Sequence, residues 1–254
     1  MYVIGIGEIF LKGKNRRFFQ RRLLNNIQSS LKIESNKIKD LRNRILIQTD
    51  NAENMKYVFG INSYFHAIEC SPNEINQQAL SFINGQKTFR ITAQRITKDY
   101  KTSKEIEVEV GKFIVDNKNI KVDLENPEVN IHINIIGSKA YVYDKIDHGL
   151  GGLPIGVSGE VHINVNNEVR STLAGYLMMK RGCIISLSED LPLLHKFEHG
   201  FNIKIREKNE HDVVVEDEVI EDFKNNNSKN FILKPLIGFN KEDINKLYNK
   251  IKSL

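Results

Sequence analysis

The spacing of hydrophobic residues predicts a strand followed by a basic amphipathic helix at the start of the chain. Residues 2–10 are predicted to form the strand, and Asn15 is placed to cap the helix. The helix carries apolar residues at intervals of four: Phe19, Leu23, Ile27 and Leu31. Phe18 widens this apolar stripe, and the opposite face is basic. A strand over residues 44–49, a helix over 50–60 and an extended segment over 64–70 complete a first small α/β region.

A second region begins at Ser71, where Pro72 follows the capping residue and Glu74 stands three residues after it. A strand with Arg90 on its outward face follows the helix that this box opens. Thr102 and Glu105 form another capping box, which predicts a helix with one apolar side. Alternation over 129–135 and 140–146, with a turn at 137–138, predicts a hairpin that ends the region near residue 147.

The third region opens on a glycine-dense stretch, residues 148–156. Composition alone predicts a flexible linker there, and close approach to an RNA backbone is the other interpretation. A strand over 160–165, a helix over 171–180 and a strand over 183–187 form a β-α-β pattern, which implies a parallel α/β sheet. Residues 211–229 are acidic, then Asn-rich and irregular. Residues 231–237 and a helix from about Asn240 close the chain.

Composition and charge separate the N-terminal part from the rest. The 254 residues are 40% hydrophobic and 27% charged, which is typical of a soluble globular protein. No apolar run has the length of a membrane span and no signal peptide is recognised, so a cytoplasmic protein with no membrane partner is expected. Residues 1–50 carry 11 basic and 4 acidic side chains, a balance of +7 against +5 for the whole chain. Such a field attracts a polyanion, although a solvated basic helix face is the alternative.

The cysteines and histidines show no pattern of a metal or disulfide framework. Cys70 and Cys183 are expected to be structural, buried thiols. His195 and His199 are the one histidine pair at i,i+4 spacing and lack the Glu of a zincin motif, so no metal site is expected.

Several segments resemble the tRNA 4-thiouridine synthetase (tRNA sulfurtransferase) family. Residues 7–19 resemble its opening signature, GE-x-x-LKGKNR-x-F. Three segments resemble its THUMP domain, namely residues 89–96, 121–129 and 139–143, and residues 151–156 resemble the GGLPVG segment that ends it. Residues 174–182 and 234–238 resemble its PP-loop nucleotide-binding domain.

The resemblance implies a fold class of α/β and α+β. An N-terminal ferredoxin-like domain over 1–70 and a THUMP domain over 71–158 are expected, followed by a reduced parallel α/β PP-loop-like (adenine nucleotide alpha hydrolase-like) domain over 159–254. In the family, the first two domains grip the acceptor arm and 3′ end of tRNA, and the third adenylates a uridine that then receives sulfur. RNA binding is accordingly assigned to Lys12, Lys14, Asn15, Arg16, Arg17, Arg21, Arg90, Arg95, Lys98, Lys101, Lys104, Gly151 and Gly152.

The sequence departs from the family where the nucleotide would bind. The family's S-G-G-x-D-S loop corresponds to residues 166–171, whose key positions are Asn166, Asn167, Glu168, Arg170 and Ser171. Glu168 brings negative charge toward the anion and Arg170 replaces a carboxylate. The simplest interpretation is a relic turn that only connects the strand to the helix. In one alternative, Asn166 and Asn167 adopt positive φ and imitate the glycine turn. In another, Arg170 holds a phosphate. The interval between residues 182 and 234 is shorter than the corresponding interval of the family. No cysteine follows Cys183 that could carry a persulfide.

The first functional hypothesis is therefore a tRNA-binding protein with no catalytic residues and no cofactor, which supports tRNA modification. The alternative is a tRNA sulfurtransferase active with a partner that supplies ATP binding or sulfur, which needs ATP and magnesium. A THUMP adaptor for another tRNA-modifying enzyme is a further alternative. Expected partners are tRNA and a modifying enzyme or catalytic subunit, with a homodimer left open.

Overall fold

A computed structural model describes residues 1–41, 44–97, 100–210, 212–222 and 230–254, the side chain of Phe10 excepted. The α-helices described are α1 (Arg16–Leu31), α2 (Ile75–Leu80), α3 (Ser103–Asn117), α4 (Glu168–Lys180) and α5 (Lys241–Lys252). Short 3-10 segments cover Glu8–Asn15, Ser35–Lys37, Glu53–Tyr57, Pro72–Glu74, Pro192–Phe197 and Ile220–Asp222. The longest of these helices, α1, has 16 residues and the shortest, α2, has 6.

The described strands form three sheets. The first sheet has the strands β1 (Tyr2–Ile6), β2 (Ile38–Asp40), β3 (Arg44–Ile47), β4 (Ile61–His66) and β10 (Asp147–His148), in the order β10-β4-β1-β3-β2. The second has β5 (Ile68–Cys70), β6 (Thr88–Arg95), β7 (Lys121–Val122), β8 (Val129–Ile136) and β9 (Lys139–Tyr143), in the order β5-β9-β8-β6-β7. The third has β11 (Glu160–Ile163), β12 (Ile184–Leu187), β13 (Lys204–Ile205), β14 (Val214–Val215) and β15 (Ile232–Leu233), in the order β13-β12-β11-β14-β15. All four pairings of the third sheet are parallel, which confirms the predicted parallel α/β region.

The chain divides into two compact units. Unit one comprises Met1–Ile4, Asp40–Asp50 and Tyr64–Asp147, and unit two comprises Gly5–Lys39, Asn51–Ser63 and His148–Leu254. In unit one, the buried side of α3 is made of Ile106, Val110 and Ile114, which pack with the apolar face of the second sheet. This confirms the apolar side predicted for the helix that the Thr102–Glu105 capping box opens.

Unit two has a core in which the third sheet, α4 and residues from the N-terminal half share one apolar cluster. Phe59 lies 5.3 Å from both Tyr176 and Phe197, measured between ring centroids. These aromatic contacts join segments of unit two that lie more than a hundred residues apart in the sequence. The expected domain boundaries at residues 70 and 158 stay a prediction.

Several predicted elements differ in extent. The first strand ends at Ile6 rather than residue 10, because Glu8–Asn15 winds into 3-10 turns that bend at Gly13, where φ is +51°. The helix predicted over 50–60 is the single 3-10 segment Glu53–Tyr57. Residues 211–229, predicted to be irregular, contain the buried strand β14, while 211 and 223–229 lie outside the described residues.

The capping signals are confirmed where they are local. Both the Ser71–Glu74 and the Thr102–Glu105 capping boxes form. Asn15 stands at the N-cap of α1 as predicted, but its side chain makes no capping hydrogen bond, because its own backbone is already helical, with φ −83° and ψ −4°. No helix among the described residues is long and apolar enough to cross a membrane.

Candidate functional site

The basic segment, residues 12–21 of unit two, presents several cations to solvent. Lys14, Arg17 and Arg21 are exposed and have no ion-pair partner among the described residues. Lys12 is half-buried, with Nζ 5.2 Å from the centroid of the Phe19 ring. Arg16 is also half-buried. Neighbouring like charges without internal counter-ions are a favourable surface for a polyanion.

Two apolar side chains stand among these cations. Phe18, predicted to widen the buried stripe of α1, is instead 57% exposed, and Leu11 is 81% exposed. The prediction for Phe18 was wrong because Leu23 and Ile27 supply the buried face. At about 100° per residue, Phe18 lies roughly 140° and 180° from these two residues, on the opposite side of the helix. The Phe18 and Phe19 rings make a T-shaped contact, with 5.6 Å between their centroids. An exposed aromatic ring within a basic surface is the arrangement on which an unpaired base stacks.

Arg22, the remaining arginine of this helix, serves unit two internally. Its Nε donates to the carbonyl of Ile155 at 2.8 Å, and the amide of Asn26 donates to the same oxygen at 3.1 Å. Arg22 therefore anchors α1 to the glycine-dense stretch. It is less available to an external ligand than the exposed Arg17 and Arg21.

The basic residues predicted in unit one are more constrained. Arg90 donates to the carbonyl of Leu124 at 3.0 Å and Arg95 to that of Tyr100 at 3.1 Å. Lys101 pairs with Glu109, whereas Lys104 has no ion-pair partner among the described residues. Lys98 lies outside the described residues. The basic segment lies in unit two and this group in unit one, so they are two candidate surfaces.

The glycine-dense stretch, here called the strap (residues 148–156), is hydrogen-bonded within unit two rather than free. The Gly151 N–H donates to the carbonyl of Ile61 at 2.8 Å, and the Leu153 N–H to that of Lys180 at 2.9 Å. A Cβ on Gly152 would overlap with the Lys180 carbonyl, at a backbone φ of +72°. The prediction of a flexible linker was wrong, because glycine here permits close contact with the end of α4.

We expect Gly152→Ala to lower the free energy of unfolding by about 2–4 kcal/mol, because the added methyl group overlaps with buried backbone and φ is left-handed. Gly151→Ala is the matched control, since it shares a positive φ of +63° but faces open space. Its expected cost is about 1 kcal/mol. Urea unfolding of the two variants checks this, and equal costs would contradict the close-contact explanation.

The altered loop, residues 166–171, begins α4 without a phosphate-binding turn. Among the described residues only Lys32 is a non-glycine with positive φ, so Asn166 and Asn167 do not imitate the glycine turn, and that alternative is wrong. Asn167 caps α4, and its Oδ1 accepts the Arg170 N–H at 3.1 Å. Arg170 forms an ion pair with Asp222, and Glu168 is exposed at the first turn.

The hydrogen-bond donors at the start of α4 already donate to a carboxylate of the protein. Asp217 Oδ2 accepts the backbone N–H of Asn167 at 2.9 Å and the hydroxyl of Ser171 at 2.8 Å. Asp217 is 2% exposed and Ser171 is fully buried. An anion at a helix N-terminus is favourable, and here the protein supplies it.

A second carboxylate extends this arrangement. Glu216 accepts from the side-chain amides of Asn164 and Asn166, each at 3.2 Å. Both acids follow β14, which pairs in parallel with β11, so the sheet itself brings them beside the loop. Sequence reasoning missed these residues, although an acidic run after Val213–Val215 was visible. The site holds negative charge where nucleotide phosphate would need positive charge.

The two thiols and His195 are held in structural environments. Cys70 and Cys183 are buried, as predicted; burial raises the pKa of the Cys70 thiol to about 11 and raises that of Cys183. His195 lies between Asp190 and Glu198, at 2.7 and 2.8 Å, and their hydrogen bonds raise its pKa. In the part of the chain that the structure describes, no three His, Cys, Asp or Glu side chains cluster as metal ligands.

Comparison with known proteins places these features in a family. Residues 1–64 match the family model of the ThiI ferredoxin-like domain, and residues 76–144 match that of the THUMP domain. A protein of Mycoplasmopsis synoviae named "Probable tRNA sulfurtransferase" is 38% identical over 184 residues, which is 71% of this chain and 49% of that protein. The chain belongs to the tRNA sulfurtransferase family. A relative from Thermococcus kodakarensis with the same name is 35% identical over 200 residues, 71% of this chain and 52% of the relative.

Solved structures agree with this family fold. PH1313 from Pyrococcus horikoshii has a TM-score of 0.82 and 28% identity, with 99% of both chains covered. A 4-thiouridine synthetase, solved with RNA and bound ATP, has a TM-score of 0.77 at 21% identity, over 98% of this chain and 84% of that one. The chain spans about half the length of the curated tRNA sulfurtransferases it matches. The fold is thus ferredoxin-like, THUMP and a reduced PP-loop-like parallel sheet.

Proposed function

We propose that this chain is a tRNA-binding protein that contacts the acceptor arm and 3′ end through its ferredoxin-like and THUMP domains. It has no ATP-dependent chemistry of its own and supports tRNA modification carried out with a separate catalytic partner. The observation that carries the binding proposal is the basic segment, whose exposed cations have no ion-pair partner among the described residues. The names of the relatives and the RNA-bound synthetase support tRNA as the ligand.

Phe18→Ala is expected to weaken tRNA binding about tenfold or more, because an exposed ring that stacks on a base contributes roughly 1–3 kcal/mol. Phe18→Tyr keeps the ring and should bind within about twofold of the unchanged chain. Leu11→Ala is the control for a loss of exposed apolar surface without an aromatic ring. Filter binding with a tRNA transcript measures all three, and an unchanged affinity for Phe18→Ala would contradict the stacking role.

The absence of ATP chemistry is inferred from the carboxylate of Asp217. The loop donors that approach phosphate in a nucleotide site already donate to this buried side chain. Arg170, the one cation of the loop, is paired with Asp222. ATP and magnesium are accordingly no part of the proposed function.

A second candidate is a tRNA sulfurtransferase that acts with a partner supplying ATP binding or sulfur. The name of the relatives favours this candidate. The THUMP domain also fits a further candidate, an adaptor for an enzyme that makes a different tRNA modification. Mass spectrometry of tRNA nucleosides from a strain lacking the gene tests these candidates together. We expect one modification to fall while the purified chain, given ATP and a persulfide donor, forms no 4-thiouridine. Formation of 4-thiouridine by the purified chain would overturn the non-catalytic proposal.

A further inference from the structure

A cavity of about 530 Å³ opens in unit two beside the C-terminal end of α4. Its apolar wall includes Leu153 of the strap and Leu177 and Met178 of α4. Charged side chains line it as well, namely Glu8, Lys180 and Arg181. The volume lies within the range of roughly 300–1,000 Å³ typical of small-molecule sites.

The charged groups of this cavity have no ion-pair partners among the described residues, whereas the nearby backbone groups are hydrogen-bonded. The Lys180 carbonyl accepts the Leu153 N–H at 2.9 Å, and the Gly182 carbonyl accepts the Gly156 N–H at 2.8 Å. The strap thereby closes the end of α4 and leaves the Lys180 and Arg181 side chains as cations at the cavity. Glu8 adds one carboxylate acceptor on the wall.

We propose that this cavity holds one unpaired nucleotide of the bound RNA, an inference that rests on the proposed RNA-binding function. The base packs against Leu153, Leu177 and Met178, while Lys180 and Arg181 contact its phosphate. Glu8 accepts a hydrogen bond from a ribose hydroxyl or an exocyclic amine. A nucleotide combines a flat apolar face, an anion and edge donors, and the cavity has a partner for each.

Two features favour a nucleotide of RNA over an acidic peptide. The carboxylate of Glu8 accepts from hydroxyl and amine donors, which the ribose and base of a nucleotide carry away from its phosphate and an acidic side chain lacks. Glu8 also begins the 3-10 segment Glu8–Asn15 that carries Lys12 and Lys14, so the cavity continues from the basic segment within the same unit. The distinction from a free nucleotide is made by experiment.

The test uses the intact chain and two RNA hairpins of equal duplex length. One hairpin has a three-nucleotide single-stranded tail containing 2-aminopurine, and the other is blunt. Lys180→Ala/Arg181→Ala is the variant. Lys250→Ala/Lys252→Ala, on the exposed side of α5, is the control that removes the same charge from the same unit.

The variant is expected to bind the tailed hairpin about tenfold more weakly, to bind the blunt hairpin within about twofold, and to lose the 2-aminopurine fluorescence change. The control should match the unchanged chain in all three. Glu8→Ala should also weaken binding of the tailed hairpin, because it removes the acceptor, although it removes a negative charge as well. Tighter binding would overturn the role of Glu8.

Equal weakening of both hairpins would overturn the cavity proposal and leave the RNA-binding proposal intact. Free AMP that binds as tightly as the tailed hairpin would overturn the assignment to an RNA nucleotide. If the unchanged chain binds neither hairpin, the proposed RNA-binding function itself fails.

Discussion

The triple variant Lys14→Ala/Arg17→Ala/Arg21→Ala is expected to bind tRNA about a hundredfold more weakly than the unchanged chain near 0.1 M salt. Each of these exposed cations that contacts a phosphate releases condensed counter-ions, and each lost contact reduces the slope of log K against log salt by about 0.9. The slope of the variant should therefore be smaller by roughly 2–3. The measurement is tRNA affinity at four or more salt concentrations.

A matched charge control separates a local surface from net charge. Lys241→Ala/Lys246→Ala/Lys250→Ala removes three exposed lysines from α5 and leaves the basic segment intact. We expect this control to bind within about threefold of the unchanged chain, because its charges do not touch the RNA. Equal losses in the two variants would mean that only net charge attracts the RNA.

ATP with magnesium is expected to give no binding heat in calorimetry with the purified chain, alone or with tRNA present. The donors at the start of α4 are taken by Asp217, and Glu216 adds a further carboxylate. Repulsion between one such carboxylate and a phosphate charge 4 Å away is about 4 kcal/mol at an effective dielectric constant of 20. Several carboxylates at this edge of the sheet therefore oppose even millimolar binding.

Arg170→Ala is the informative variant for this prediction. In the structure Arg170 pairs with Asp222, so its loss should leave the absence of ATP binding unchanged. Micromolar ATP affinity that disappears in Arg170→Ala would show that Arg170 leaves Asp222 to hold phosphate, and would reverse the conclusion. The titration with tRNA matters because a site completed only by RNA is otherwise missed.

Local signals allowed much of the fold to be predicted. The capping boxes at Thr102 and Ser71 depend on residues three apart, and the parallel pairing of β11 with β12 follows from a strand-helix-strand pattern. The elements that sequence missed depend on distant partners. The strand β14 is two residues long, and only its place between β11 and β15 makes it part of a sheet.

The candidate site divides in the same way. Charge alone identified the exposed cations Lys14, Arg17 and Arg21, because surface charge needs no partner to be recognised. The exposure of Phe18 was predictable but missed, since a helical turn of about 3.6 residues places Phe18 opposite Ile27 of the buried stripe. Asp217 is 50 residues away from Asn167 in the sequence. The two residues meet only because the register of the sheet places the end of β14 beside β11.

The central claim is that this chain recognises tRNA without nucleotide chemistry. The most direct test is the equilibrium affinity of the intact chain for an unmodified tRNA transcript and for a blunt RNA duplex of equal length, each with and without ATP and magnesium. We predict preference for the transcript with its single-stranded 3′ end, a salt slope of a few units, and no effect of ATP. Equal affinities for the two RNAs, or tRNA binding that requires ATP, would contradict the claim.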